Sequence, residues 1–129
     1  MTDKSQLYQN WMEGYKKAWE NRDLQLVESL FTPDAAYSLS PFEHKYEGRK
    51  KILDYWEDVP IFQMNIHFNY DLISVQDNKG YAHCYGSFER FDNGSKIEMD
   101  GIFEIELNDE GRCKKLNQWF DERVNSPFE

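Results

Sequence analysis

SKIEMDGIFEIEL, residues 95–107, alternates apolar and polar side chains along most of its length. One face would carry Ile97, Met99, Gly101, Phe103, Ile105 and Leu107. The other face would carry Lys96, Glu98, Asp100, Ile102, Glu104 and Glu106. Because successive side chains of a strand point to opposite faces, this pattern predicts a β-strand with one face in a core and the other in water.

The segments around this strand are also extended. From residue 61 onward the apolar period is two, and turn sequences at residues 77–80, 92–94 and 108–111 separate four long segments. Such turns predict hairpins, and the four strands together predict an antiparallel meander. In the first strand the apolar positions are even up to Leu72 and odd at Ile73 and Val75. This change of phase predicts a β-bulge near residue 72 and a sharply bent sheet.

The N-terminal half has helical periodicity instead. Residues 5–21 form a predicted helix with Ser5 as its N-cap, and Gly14 weakens this helix by about 1 kcal/mol relative to alanine, which suggests a close approach there. Asp23 caps a short second helix, residues 24–31, and a third runs from residue 49 to 59 and is stopped by Pro60. The apolar stripe of the first helix consists of Tyr8, Trp11, Met12, Tyr15, Ala18 and Trp19.

One further strand lies between the second and third helices. Residues 32–34 are predicted to form a turn, and residues 35–42 a strand that Pro41 places at an edge. We therefore predict an α+β fold in a single domain, residues 1–129, with three N-terminal helices on the concave face of a strongly curved antiparallel sheet. Three helices do not fill such a sheet, so a cone-shaped pocket with an open mouth should remain.

Composition and charge exclude several classes of function. With 15 Lys and Arg against 24 Asp and Glu, the net charge of −9 is the opposite of what nucleic-acid or anionic membrane binding requires. Cys84 and Cys113 lack zinc-ligand spacing, and no cofactor motif occurs. We expect no metal and no cofactor. The opening MTDKSQLYQNW has no apolar signal region, so we expect a cytoplasmic location with reduced thiols.

The last extended segment, NQWFDERV, residues 117–124, sets Asp121 directly after two aromatic residues. A carboxylate desolvated by Trp119 and Phe120 would have a raised pKa and would suit a general acid or base. The alternative is a charge at the end of a strand that pairs with Arg123 or Arg112.

Asp100 and His83 are the other candidates for proton transfer. Strict alternation places Asp100 on the charged face, away from the core, unless a bulge at Gly101 reverses it. Histidine as a residue type is a natural base near neutral pH, which makes His83 a candidate, but its alternation with Tyr81 and Tyr85 also fits a histidine that is hydrogen-bonded to a core tyrosine.

Aromatic residues are the candidates for contact with a ligand. The chain holds 4 Trp, 8 Tyr and 9 Phe, which suit both a core and a flat-walled cavity. The candidates for the cavity wall are Tyr15, Trp19, Tyr37, Phe42, Trp56 and Trp119. Tyrosine hydroxyls among them would orient a carbonyl or hydroxyl group.

Three stretches carry a resemblance to a known family: AWENRDLQLVESLFTPDAAYSLSPF, GRKKILDYW and DGIFEIELNDEGRCKKLNQWFDE. Their order resembles the nuclear transport factor 2-like superfamily and, within it, the SnoaL-like proteins. The resemblance implies a curved sheet with a conical cavity, and a homodimer built through the sheet. The superfamily includes isomerases, epoxide hydrolases, polyketide cyclases, a dehydratase and binding modules without chemistry.

The resemblance matches catalytic positions of the superfamily only in part. The arginine and two acids of the epoxide hydrolases correspond here to Ser87, Glu89 and Gln118, which is one match in three. Tyr15 occupies a place comparable to the oxyanion-donating tyrosine of the isomerases.

Two functional interpretations follow from these observations. In the first, the chain binds a small apolar molecule with a polar handle and acts as a cofactor-independent acid/base enzyme of the isomerase, dehydratase, cyclase or hydrolase type. In the second, it is a non-catalytic dimeric binding or assembly module. An open cavity with convergent polar groups would separate the two interpretations.

Overall fold

The computed structural model describes residues 4–39 and 45–125 of the chain. Its helices are α1 (Lys4–Glu20), α2 (Leu24–Leu30), α3 (Arg49–Trp56) and α4 (Asp58–Phe62). Its strands are β1 (Phe31–Ser38), β2 (Lys45–Glu47), β3 (Gln63–Gln76), β4 (Lys79–Arg90), β5 (Lys96–Leu107) and β6 (Cys113–Asn125). Helices pack on one face of a single curved sheet, which confirms the predicted α+β class.

The sheet has the order β2-β1-β6-β5-β4-β3. Strands β3 to β6 form the predicted antiparallel meander, whereas β1 runs parallel to β6. The expected edge position of the strand before the third helix is wrong, because β2 pairs with β1 and itself forms the edge. The strand also begins four residues earlier than predicted, and Pro41 lies outside the described residues.

The turn predicted at residues 32–34 is an irregular stretch inside β1. Phe31 pairs with Cys113, but Ala36 pairs with Lys115, so β1 contains extra residues between these pairs. The Thr32 hydroxyl donates a hydrogen bond to the Asp34 carboxylate at 3.0 Å. The local turn chemistry therefore bends the strand without ending it.

The bulge predicted near residue 72 is confirmed. Leu72 pairs with Ala82 and Ser74 with Tyr81, which leaves Ile73 without a partner on β4 and 59% exposed. An extra residue on one strand bends the sheet and increases its twist. This bend contributes to the concavity over which the helices lie.

Helix α1 buries its predicted apolar stripe against the sheet. A Cβ atom at Gly14 would lie 2.8 Å from Leu30 Cδ2, so the expected close approach at this glycine is confirmed. The third helix ends at Trp56 and not at Val59, because a separate short helix begins at Asp58. Pro60 falls in the first turn of that helix, where the missing N–H requires no partner.

Helix α1 also covers the free edge of β3. Lys16 donates to the Phe68 carbonyl oxygen, and the Phe68 N–H donates to Glu20 at 2.9 Å. Lys16 and Glu20 form an ion pair at 2.9 Å. Both backbone groups of Phe68 at this edge are therefore bonded to side chains and not left open to another strand.

Among the helices that the structure describes, none has both the length and the apolar character needed to span a bilayer.

Candidate functional site

A cavity of about 250 Å³ lies between the helices and the inner face of the sheet. This face is the concave one that α1 and α3 cover. Much of the wall is aromatic, with rings from helices and strands alike: Tyr15, Trp19, Trp56, Phe68, Phe88 and Phe103. A volume of this size holds a molecule of about ten non-hydrogen atoms at the packing density of protein interiors.

Gly86 leaves space for Trp19, one of the rings that line the cavity. A Cβ atom at Gly86 would lie 2.7 Å from the Cη2 and Cζ3 atoms of Trp19, so only glycine lets the indole rest directly on β4. The Trp19 N–H in turn donates to the Gln63 side-chain oxygen at 2.8 Å, which fixes the ring. The sequence thus specifies the position of this ring from both sides.

The buried end of the cavity is polar. Gln118, on β6, donates its amide to the Tyr37 hydroxyl at 2.9 Å and to the Tyr15 hydroxyl at 3.4 Å. The two hydroxyls are also hydrogen-bonded to each other. Gln118, Tyr15 and Tyr37 come from β6, α1 and β1, so three separate elements converge on one polar cluster.

Burial determines the protonation state of this cluster. Desolvation raises the pKa of Tyr15 above its ordinary value, against the opposing effect of hydrogen bonds from Tyr37 and Gln118. Desolvation likewise raises the pKa of Tyr37 well above its ordinary value. Both hydroxyls are therefore protonated at neutral pH and can donate hydrogen bonds.

Trp56 closes the cavity between two other rings. Its indole meets the ring of Tyr15 edge-on at 5.5 Å and the ring of Trp19 edge-on at 6.2 Å. Among the described residues, its Nε1 is the buried side-chain polar atom that has no hydrogen-bond partner. The indole of Trp11, by contrast, donates to the Leu30 carbonyl oxygen at 2.9 Å.

The mouth of the cavity is acidic. Asp58, at the start of α4, and Glu122, near the end of β6, both line it and are both exposed. Between them lies Tyr55, which is 38% exposed. Burial is the largest of the causes that raise the pKa of Tyr55 to about 12, and the neighbouring Tyr46, Glu122 and Asp58 contribute to the same rise.

Of the two interpretations of Asp121, the structure contradicts the one in which aromatic residues desolvate its carboxylate. The Asp121 side chain is exposed, does not line the cavity and accepts a hydrogen bond from the adjacent Glu122 N–H at 3.0 Å. Alternation along β6 turns Gln118 and Phe120 inward and therefore turns Trp119 and Asp121 outward. Arg123, the expected partner of Asp121, is bonded to Glu98 at 2.8 Å instead.

Trp119 also lies outside the cavity, contrary to expectation. It is 39% exposed on the outer face of the sheet, where it pairs across the strands with Ile102. The adjacent aromatic residues of the sequence, Trp119 and Phe120, thus occupy opposite faces.

Asp100 and His83 meet on the outer face as well. Asp100 Oδ1 lies 2.6 Å from His83 Nε2, and the two side chains are 60% and 49% exposed. The pairing of β5 has no register shift at Gly101, so Asp100 stays on the charged face, as strict alternation predicts. Asp100 borders the cavity, but because its carboxylate points to His83, it contributes main chain to the wall.

The structure therefore brings four predicted wall residues together and separates the rest. Tyr15, Trp19, Tyr37 and Trp56 line the cavity, and Phe42 lies outside the described residues. Sequence reasoning gave Gln118 no role in this cavity. Its position three residues before Asp121, and therefore on the opposite face of the same strand, was the signal that could have revealed it.

The partial epoxide-hydrolase match does not assemble in the cavity. Gln118 lines it, but Ser87 and Glu89 do not, and Glu89 accepts a hydrogen bond from Asn65 at 2.8 Å. Within residues 4–39 and 45–125, no three His, Cys, Asp or Glu side chains come close enough together to hold a metal ion.

The family is established by the sequence itself. The model of the SnoaL-like domain family matches residues 12–115. The chain therefore belongs to the SnoaL-like domain family, within the nuclear transport factor 2-like superfamily. No curated protein matches the chain.

Solved structures share the fold at low sequence identity. The epoxide hydrolase/cyclase-like enzyme SalBIII of salinomycin pyran-ring formation is 14% identical, with a TM-score of 0.82 over 97% of this chain and 100% of that one. A Bacillus subtilis protein provisionally described as an isomerase is 16% identical, with a TM-score of 0.81 over 93% and 90%. An epoxide hydrolase from M. tuberculosis is 13% identical, with a TM-score of 0.73 over 87% and 80%.

Proposed function

We propose that the chain binds a small, largely apolar molecule in the cavity and orients it through a hydrogen-bond acceptor at the buried end. The observation that carries this proposal is the cluster of Tyr15, Tyr37 and Gln118 at the end of a ring-lined cavity. The rings would make apolar contacts with the ligand, and the hydroxyls would fix its orientation by hydrogen bonding.

The direction of the hydrogen bonds supports an acceptor on the ligand. Gln118 donates to both hydroxyls, and both tyrosines keep their own protons because burial raises their pKa values. Only one of the two hydroxyls donates in their mutual hydrogen bond; we assign that donation to Tyr37, which leaves the Tyr15 proton for a ligand. A ketone, lactone or ether oxygen would accept it.

Binding is better supported than acid/base catalysis by the residues first considered for it. The side chains of Asp121, Asp100 and His83 lie on the outer face of the sheet. The side-chain carboxylates that line the cavity, Asp58 and Glu122, stand at its exposed mouth. We therefore propose a binding pocket and assign no proton transfer to the outer-face residues.

The test compares two ligands, one of which has a ketone group where the other has a methylene group. Titration of tryptophan fluorescence with 2-tetralone and with tetralin reports on the cavity, because Trp19 and Trp56 line it. The ketone should bind about five- to tenfold more tightly, the effect of one net hydrogen bond. In Tyr15→Phe this preference should disappear while tetralin affinity stays unchanged. Equal affinity for both compounds in the unmodified chain would refute the proposed orientation.

Asp121→Asn serves as the control variant. Asp121 lies on the outer face of the sheet, opposite the cavity, so its replacement should leave the affinities for both ligands unchanged. A change of the ketone preference in this variant would show that the signal does not come from the cavity.

We also propose that the chain forms a homodimer through the outer face of the sheet. The exposed Trp119 and the half-buried Ile102 supply apolar area there, amid charged neighbours. Light scattering after size exclusion should give twice the monomer mass, and Trp119→Arg should give the monomer mass. A monomer in the unmodified chain at high concentration would refute this arrangement.

A cytoplasmic location is the third part of the proposal. Cys84 and Cys113 are both free and buried, which suits a reducing compartment. Fractionation of producing cells, with thiol counting under denaturing conditions, should find the chain in the cytoplasm with two free thiols.

A further inference from the structure

We infer that the mouth of the cavity selects ligands by charge, and that the ligand class is an apolar molecule that carries an ammonium group at the end opposite its acceptor. This inference rests on the proposed function, because it assigns a second recognition element to the same cavity. It is carried by the charges at the mouth, their pairing and the rings beside them.

The acidic side chains at the mouth come from opposite walls. Asp58 opens α4 on the helical side, and Glu122 belongs to β6 on the sheet side. Both act on the Tyr55 hydroxyl that lies between them. A ligand in the cavity therefore has acidic side chains on both walls near it.

The cationic side chain that lines the cavity does not offset this charge. Arg90 is held by Asp92 through two hydrogen bonds of 2.9 Å each, from its Nε and from its terminal nitrogen. Its guanidinium also lies 5.1 Å from the centre of the Phe62 ring. A carboxylate or phosphate on a ligand would have to displace Asp92 to use it.

Aromatic rings stand beside the acids. The ring centres of Tyr55 and Tyr46 lie 4.8 Å apart with the rings tilted by 32°, and Phe120 lines the wall near Glu122. An ammonium group is attracted by ring faces as well as by carboxylates, whereas an anion is repelled by both. The net charge of −9 adds a long-range preference of the same sign.

The experiment compares ligands with one ring skeleton and different charges. The unmodified chain is titrated at low ionic strength with 2-aminotetralin, tetralin-2-carboxylate and neutral 2-tetralone. The amine should bind at least about tenfold more tightly than the carboxylate, and the ratio should fall as salt is added. In the double variant Asp58→Asn/Glu122→Gln the ratio should approach one.

The outcomes separate this inference from the proposed function. Binding of 2-tetralone with equal affinities for amine and carboxylate would overturn the charge selection and leave the pocket proposal standing. Absence of binding by all three compounds would overturn both. Asp121→Asn removes an acidic charge outside the cavity and should keep the full ratio; if it loses the ratio as the double variant does, only the overall charge matters and the mouth is not the selector.

Both substitutions of the double variant lie at exposed positions, so the fold should survive them. Thermal unfolding checks this independently. A variant that unfolds normally and still prefers the amine tenfold would also contradict the inference.

Discussion

The two faces of the sheet formed by β4, β5 and β6 carry opposite kinds of polar chemistry. On the inner face Gln118 joins two tyrosine hydroxyls in a buried cluster. On the outer face His83 and Asp100 form an exposed pair. Side chains alternate between the two faces along each strand, so a single step along the backbone leads from the face that is protected from water to the face that is not.

This difference teaches that position relative to water decides how much a polar contact matters. Exposed pairs contribute about 0–1 kcal/mol, because solvent screens them and the side chains lose freedom. A buried polar group that loses its partner costs about 1–3 kcal/mol. Within a single protomer, the inner cluster should therefore be sensitive to substitution and the outer pairs tolerant of it.

The largest expected effect comes from Gly101 on β5, which lies against the backbone of β6. A Cβ atom at Gly101 would lie 2.1 Å from the Trp119 carbonyl oxygen and 2.5 Å from Phe120 Cα, and backbone cannot move aside easily. Gly101→Ala should lower the free energy of unfolding by about 2–4 kcal/mol. Denaturant unfolding measures it.

The neighbour on the outer face provides the matched control. Ile102→Ala removes a larger side chain from a half-buried position and should cost less than Gly101→Ala. If Gly101→Ala were the milder of the two substitutions, the close approach of β6 to β5 would be incorrect.

The next effect concerns the inner cluster. Gln118→Leu removes the amide that bonds Tyr15 and Tyr37 and leaves two buried hydroxyls with fewer partners. The free energy of unfolding should fall by about 1–3 kcal/mol. Asn117→Leu removes an amide on the outer face, where it donates to Glu104 at 3.0 Å, and should cost less than about 0.5 kcal/mol. Equal losses of unfolding free energy in Gln118→Leu and Asn117→Leu would contradict the proposed difference between the inner and outer faces.

A pH-dependent contribution lies at the edge of the sheet. Partial burial alone would raise the pKa of Glu20. Hydrogen bonds from the Phe68 N–H and from Lys16 lower it by more, so the net pKa is below its ordinary value. Because the folded-state pKa is depressed, the contribution is present above the unfolded-state pKa and is lost as pH falls through the folded-state pKa.

Glu20→Gln should therefore reduce stability near neutral pH and should reduce the loss of stability on acidification below the ordinary glutamate pKa of 4.5. Unfolding free energies of both proteins across the acidic range measure this. Parallel curves for the two proteins would show that Glu20 does not carry the effect.

The smallest effect belongs to the outer face. Asp121→Asn removes an exposed carboxylate that accepts a hydrogen bond from the next residue in the chain, and should change stability by less than about 0.5 kcal/mol. A loss as large as that of Gln118→Leu would mean that Asp121 is buried after all.

Local patterns predicted the parts of the fold that depend on neighbouring residues. Strict alternation predicted the two faces of β5, and the change of phase at Leu72 predicted the bulge. Gly14 predicted the close approach of Leu30. These features follow from spacing along one element, so the sequence contains them directly.

The remaining features depend on contacts between distant segments. Trp119 and Phe120 are adjacent and both aromatic, so alternation alone did not decide which of them faces inward, and Asp121 followed the wrong choice. The parallel pairing of Tyr37 with Leu116 brings β1 beside β6 and so brings Tyr37 to Gln118. No local sequence pattern predicts that pairing.

The most direct test of the central claim is a crystal structure of the chain with bound 2-tetralone. The account predicts the ring system between Trp19 and Phe103, with the ketone oxygen within hydrogen-bond distance of the Tyr15 hydroxyl. A ketone oxygen that points to the mouth, or a molecule bound only on the outer face beside Trp119, would contradict it.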